Sequence, residues 1–151
     1  MLNRLKDVFA SFQKHDVRYI VIGGIASVLY GIPRATFDLD ILIEATLENT
    51  QRLLDALLEA GMGTASLTNV EEILSNEITI FKDRVRIDVQ TSTPGLSFQD
   101  AWVHRNTLEY QGQSFYVASR DDLISSKKAA GRRVDLDDVR LLELPNKNDN
   151  V

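Results

Sequence analysis

Cysteine is absent from this 151-residue chain, which removes disulfides, thiolate zinc sites and cysteine nucleophiles and suits a reducing cytosol. Histidine occurs only twice, and neither His15 nor His104 has a partner at metal-binding spacing. Apolar runs are short and broken by charge, and the start, Met1 to Asp7, lacks the uncharged stretch of a signal peptide. A soluble, cytoplasmic protein without a membrane segment is expected. Positive charge is also scarce: 17 Lys and Arg stand against 22 Asp and Glu, a formal net charge of −5. A general nucleic-acid binder, which gains affinity by neutralising phosphates, is disfavoured. A nucleotide substrate is not, because cations bound to carboxylates would reverse the local sign. The basic residues Arg120, Lys127, Lys128, Arg132 and Arg133 fall in one stretch, read as a local basic patch. With 44% apolar residues, one domain with one core is expected.

The most informative stretch runs from Tyr19 to Glu44. It reads as an apolar strand, Gly23-Gly24, a short apolar helix, a Gly31-Ile32-Pro33 turn, and a second strand. Side chains alternate along a strand, so Asp38, Asp40 and Glu44 share one face, opposite Leu39, Ile41 and Ile43. Like charges in such a row repel, and a divalent cation would reverse that cost. Gly23 and Gly24 open a helix whose N-terminus favours phosphate, or simply form a tight turn.

Elsewhere, residues 2–15 carry Leu2, Leu5, Val8, Phe9 and Phe12 at helical spacing. Thr46 is a plausible N-cap for a helix bearing Leu53, Leu54, Leu57 and Leu58, with Gly61 past its end. Residues 61–76 are weakly patterned, with one helical turn near Val70 to Leu74. From Glu77 a β-hairpin is expected, turning at Lys82-Asp83 and returning through Arg84 to Gln90, with Asp88 opposite the apolar row. A short helix over Ser97 to His104, with Trp102 as core, precedes a small hairpin across Gln111-Gly112-Gln113. Ser119 and Asp122 begin a helix reaching Gly131, and Lys127 falls on its inward stripe, where it needs a partner or an opening. Asp135 and Asp138 begin a last helix bearing Leu136, Val139 and Leu142, and residues 145–151 are expected to fray.

Gly23-Gly24, Arg34-x-Thr36-x-Asp38-x-Asp40 and Ile87-Asp88-Val89 together resemble the nucleotidyltransferase superfamily related to DNA polymerase β. The later Leu123-Ile124-x-x-Lys127, Gly131-Arg132 and Asp135-x-x-Asp138 are most similar to its small AbiEii-type, MNT-like group. The resemblance covers roughly half the chain. It implies an α/β (α+β) fold: a nucleotidyltransferase-like mixed sheet with helices packed against it and a short C-terminal helical segment. The domain is placed at residues 1–144, with 145–151 a flexible tail.

The resemblance further implies that Asp38, Asp40 and Asp88 are catalytic and bind Mg²⁺ or Mn²⁺, two ions during turnover. It implies nucleotide contacts from Gly23, Gly24, Arg34, Thr36 and Lys127, with Asp135 and Asp138 supporting the site or assisting proton transfer. The activity it implies is transfer of a nucleoside monophosphate from an NTP to a hydroxyl on RNA, protein or a small molecule, and the similar group suggests a toxin–antitoxin or defence pair. Oxygen-only ligands suit those ions over zinc. A small protein partner or a homo-oligomer is left open, since the chain has no room for the second, helical domain of many members. The plainer readings are a solvated strand face for the aspartates, salt bridges from Arg34 and Arg86, helix caps at Asp135 and Asp138, and a Lys127 that snorkels outward. The alternative function is a catalytically silent nucleotide- or partner-binding module on the same fold.

Overall fold

A computed structural model describes residues 2–144, and Pro145 to Val151, where the frayed tail was expected, lie outside them. A 3-10 turn, Leu2–Arg4, leads into helix α1, Lys6–Lys14, whose Val8, Phe9 and Phe12 are buried. Strand β1, Tyr19–Ile22, runs into helix α2, Gly23–Leu29, and strand β2, Asp38–Ile43, follows. Helix α3, Leu47–Glu59, is capped by the Thr46 side chain, which accepts from the Asn49 N–H. A 3-10 turn, Gly63–Leu67, and helix α4, Val70–Ser75, fill the weakly patterned region. Strands β3, Ile78–Lys82, and β4, Arg86–Gln90, form the expected hairpin. Helix α5, Phe98–His104, the hairpin of β5, Asn106–Tyr110, and β6, Gln113–Val117, and helices α6, Arg120–Ala130, and α7, Arg133–Glu143, complete the chain.

The strands form one mixed sheet in the order β3-β4-β2-β1-β6-β5. Strand β2 runs antiparallel to β1 and parallel to β4, and β1 runs parallel to β6. The main core lies on the face where Val21, Leu39, Ile41, Ile87 and Val89 meet Phe9, Phe12, Leu53 and Leu57 of α1 and α3. Buried Asn49 ties the strand ends together: its amide oxygen accepts from the Arg18 N–H, and its NH₂ donates to the Arg18 and Glu44 carbonyls. Left unsatisfied, those backbone groups would each cost about 1–3 kcal/mol.

The opposite face departs from the expected row of outward carboxylates. Leu42 is buried there with Ile20, Ile22, Ala101 and Ala118, against which Leu96, Phe98 and Trp102 pack. Helix α5 therefore roofs one end of this face and leaves the Asp38–Asp40 end open. Glu44 lies beyond β2 and pairs with Arg18 at 3.3 Å, so it does not belong to the acidic site.

Smaller differences have local causes. The β3–β4 loop extends through Val85, because Lys82 pairs with Arg86; Arg84 instead donates to Asp7 and to the Ala60 carbonyl. Strand β6 begins at Gln113, since Gln111 and Gly112 make the turn at φ 48° and 83°. Leu58 and Leu136, expected on buried stripes, are exposed, and Asp135 and Asp138 take the inward positions of α7. No described helix is long and apolar enough to cross a membrane.

Candidate active site

The open end of the sheet forms one wall of a cleft of about 500 Å³, and α6 and α7 form the other. Its lining includes Gly23, Asp40 and Asp88 on the sheet side and Lys127, Arg132 and Asp135 on the helical side.

Register sets the sheet wall. Asp40 of β2 stands directly opposite Asp88 of β4, and Asp38 opposite Arg86. Directly paired residues share a face, so the two aspartates are side by side. Burial first, then the charges of Asp88 and Asp38, push the Asp40 carboxyl up to about 6, despite Arg86 and Arg132. Arg86 forks onto Asp88, Nε to Oδ1 at 2.9 Å and Nη2 to Oδ2 at 3.1 Å, and reaches Asp38 at 3.7 Å. That hydrogen bond and the Asp88 charge raise the already high Arg86 pKa further.

Gly23 explains how the chain passes this point. Its φ is +73°, and a Cβ would lie 2.9 Å from the Asp40 Cγ, so only glycine lets the backbone turn against that carboxylate. At Gly24 a Cβ would lie 2.9 Å from the Thr36 hydroxyl. Gly24 and Thr36 thus pack on each other, and neither lines the cleft.

The helical wall is a closed charge network. Lys127 is 6% exposed, Asp135 2% and Asp138 1%. Lys127 Nζ donates to Asp138 Oδ2 at 2.9 Å and stands 3.8 Å from Asp135. Arg34 grips Asp138 with two hydrogen bonds, at 3.0 and 2.8 Å, and Arg132 does the same to Asp135, at 2.6 and 3.1 Å. Burial would raise Asp135, but the Arg132 hydrogen bonds and the Arg132 and Lys127 charges outweigh it and hold it below the ordinary value.

Several expectations change here. The expected basic patch is dispersed: Lys127 is buried among carboxylates, Lys128 pairs with Glu143 at 2.8 Å, and Arg132 with Asp135. Arg34 is directed to Asp138 and lies outside the cleft lining, as do Asp38, at the rim, and Asp138. The three strand carboxylates are neighbours without converging: among the described residues no three His, Cys, Asp or Glu side chains are grouped to hold a metal ion. Both Asp88 oxygens are instead engaged by the Arg86 fork. Sequence reasoning gave no role to Ile78, Gln90, Thr93 and Pro94, which also line the cleft. The β-hairpin pairing of Ile78 with Gln90 was the available signal for the first two.

The donor set still suits a hard cation. It is all oxygen, and the raised Asp40 pKa marks a carboxylate short of positive charge. Arg86 takes one acceptor site on each Asp88 oxygen and so competes with any ion that Asp88 would share with Asp40.

A mixed sheet presenting adjacent aspartates beside a glycine turn, with basic side chains across a cleft, defines an α/β protein with a charged cleft at the open end of its sheet. The chain belongs to the family described as "Nucleotidyltransferase of unknown function (DUF6036)", whose model matches residues 2–149. No curated protein matches it.

Proposed function

We propose that the chain is a metal-dependent nucleotidyltransferase that moves a nucleoside monophosphate from an NTP onto a hydroxyl acceptor. The observation that carries this reading is the Asp40–Asp88 register pair facing Lys127 and Arg132 across the cleft. Asp40 and Asp88, with Asp38 at the rim, would hold Mg²⁺ or Mn²⁺. Such ions supply charge neutralisation at the attacking and leaving oxygens.

The rest falls to the chain's own groups. In the reaction an acceptor oxygen forms a bond to the α-phosphorus, the bond to pyrophosphate breaks, and the hydroxyl proton passes to the Asp40 carboxylate. The Asp40 and Asp88 oxygens orient the hydroxyl by accepting its hydrogen. Gly23 admits the triphosphate close to the backbone. Lys127 and Arg132 oppose the charge that grows on the leaving pyrophosphate, the lysine as a point charge and the arginine as a fork. Asp135 and Asp138 hold these cations in place. A toxin–antitoxin or defence role, and the AbiEii-like grouping, rest on the motif resemblance alone.

The Arg86 fork and the unconverged carboxylates favour a second reading, a nucleotide-binding module without turnover. Incubation with each of four α-labelled NTPs, Mg²⁺, total RNA and total protein separates the two. Label in an acceptor, abolished by Asp40→Asn and by Asp88→Asn with the fold intact, is expected. Transfer unchanged in either variant overturns the carboxylate mechanism. Nucleotide binding without transfer establishes the module.

A further inference from the structure

We infer that Gln90, flanked by Ile78, forms a slot for a nucleobase on the sheet wall of the cleft. The inference rests on the transferase reading only for the position of the triphosphate.

Three rows cross the open face of the sheet. Lys82, Arg86 and Asp38 form the first, Ile80, Asp88 and Asp40 the second, and Ile78, Gln90 and Leu42 the third. Leu42 is sealed in the second core, whereas Gln90 and Ile78 line the cleft. Among the described residues, no protein group hydrogen-bonds the Gln90 side-chain amide, and its donors and acceptor are free for a ligand. Gln90 is partly exposed and its amide is open to water, so a ligand would exchange water hydrogen bonds for directed ones of its own.

The surroundings are apolar and fixed. Ile78 is 51% exposed and Ile80 53%, two neighbouring apolar side chains on the same face as Asp88 and Asp40. Pro94 also lines the cleft, with Thr93. Their loop is pinned on α6 through Gly95, at φ +70°, where a Cβ would lie 2.6 Å from the Ala129 Cβ and 2.9 Å from the Ser125 carbonyl oxygen. Apolar flanks with one adaptable amide match a planar heterocycle carrying a donor beside an acceptor. Gln90 follows Asp88 by one strand repeat, about 7 Å, a separation that a ribose can bridge. The ring belongs either to the incoming NTP or to a nucleoside acceptor; the chemistry is the same.

Titration calorimetry in Mg²⁺ with tripolyphosphate, ATP, GTP, CTP and UTP tests the donor arm. At least one nucleotide is expected to bind about tenfold tighter than tripolyphosphate, and Gln90→Ala to remove most of that advantage. Unchanged tripolyphosphate affinity shows that the variant is folded, and Ile78→Ala is expected to act in the same direction. The acceptor arm titrates the four nucleosides into protein saturated with tripolyphosphate. Nucleoside binding that Gln90→Ala abolishes assigns the slot to the acceptor. Base-dependent binding insensitive to both substitutions overturns the proposal, as does the absence of base-dependent binding in both arms. If tripolyphosphate does not bind while nucleosides alone do, and Gln90→Ala abolishes that binding, the transferase reading falls and the base slot stands.

Discussion

The two walls of the cleft use the same residue types and reach opposite electrostatic outcomes. On the helical wall Lys127, Arg34 and Arg132 answer Asp135 and Asp138 with direct hydrogen bonds to both carboxylates, which are almost fully buried. On the sheet wall Arg86 pairs with Asp38 and Asp88, while Asp40 feels Arg86 and Arg132 only through space and is left with a raised pKa. The lesson is that charge density does not distinguish a site from a scaffold, whereas the balance of partners does. A closed network stabilises the molecule only as a unit. An open one carries a cost that a ligand can remove.

The largest effect should come from breaking the closed wall. Asp138→Ala leaves buried Lys127 and partly exposed Arg34 without their main counter-charge, and a loss of about 3–5 kcal/mol is expected in denaturant unfolding. A loss below about 1 kcal/mol would mean that the network is not the scaffold described. Gly23→Ala comes next. Its positive φ and the Asp40 side chain both oppose a Cβ, and a loss of about 1–3 kcal/mol is expected, measured by thermal melting.

Asp40→Asn should move in the opposite direction. The folded Asp40 titrates at about 6, above its ordinary 3.8, so the folded state binds a proton more readily than the unfolded chain. Its contribution is most favourable below 3.8 and is lost as pH rises through about 6. Without divalent metal, Asp40→Asn is therefore expected to stabilise the protein by about 1–2 kcal/mol at pH 8. The gain should vanish at pH 4 in paired melts. Added Mg²⁺ should raise the melting temperature of the wild type and not of the variant. The smallest effect is Lys128→Ala, which removes an exposed pair with Glu143 on the outer side of the helical wall and should change stability by less than about 0.5 kcal/mol. A change as large as that of Asp138→Ala would erase the distinction between inner and outer charges.

Much of this was legible in the residues. Tyr19 to Ile22, the glycine turn, the Thr46 and Ser119 caps and the β3–β4 hairpin follow from alternation, helical spacing and capping chemistry, which act within a few residues. The adjacency of Asp88 to Asp40 was expected from the motif and is present as a register pair. Lys127 was expected to need a partner because of its place on an inward stripe, and Asp138 supplies one. The second core over Leu42, the Arg86 fork, the diversion of Arg34 and the lining roles of Ile78 and Gln90 were not legible.

Sequence by itself determined the elements, the acidic strand and the candidate triad, because periodicity and spacing are properties of neighbouring residues. Only the tertiary structure decided which charges are answered and which stay open. Arg34 reaches Asp138 across 104 residues, and whether such a pair forms depends on distances that the folded chain alone sets.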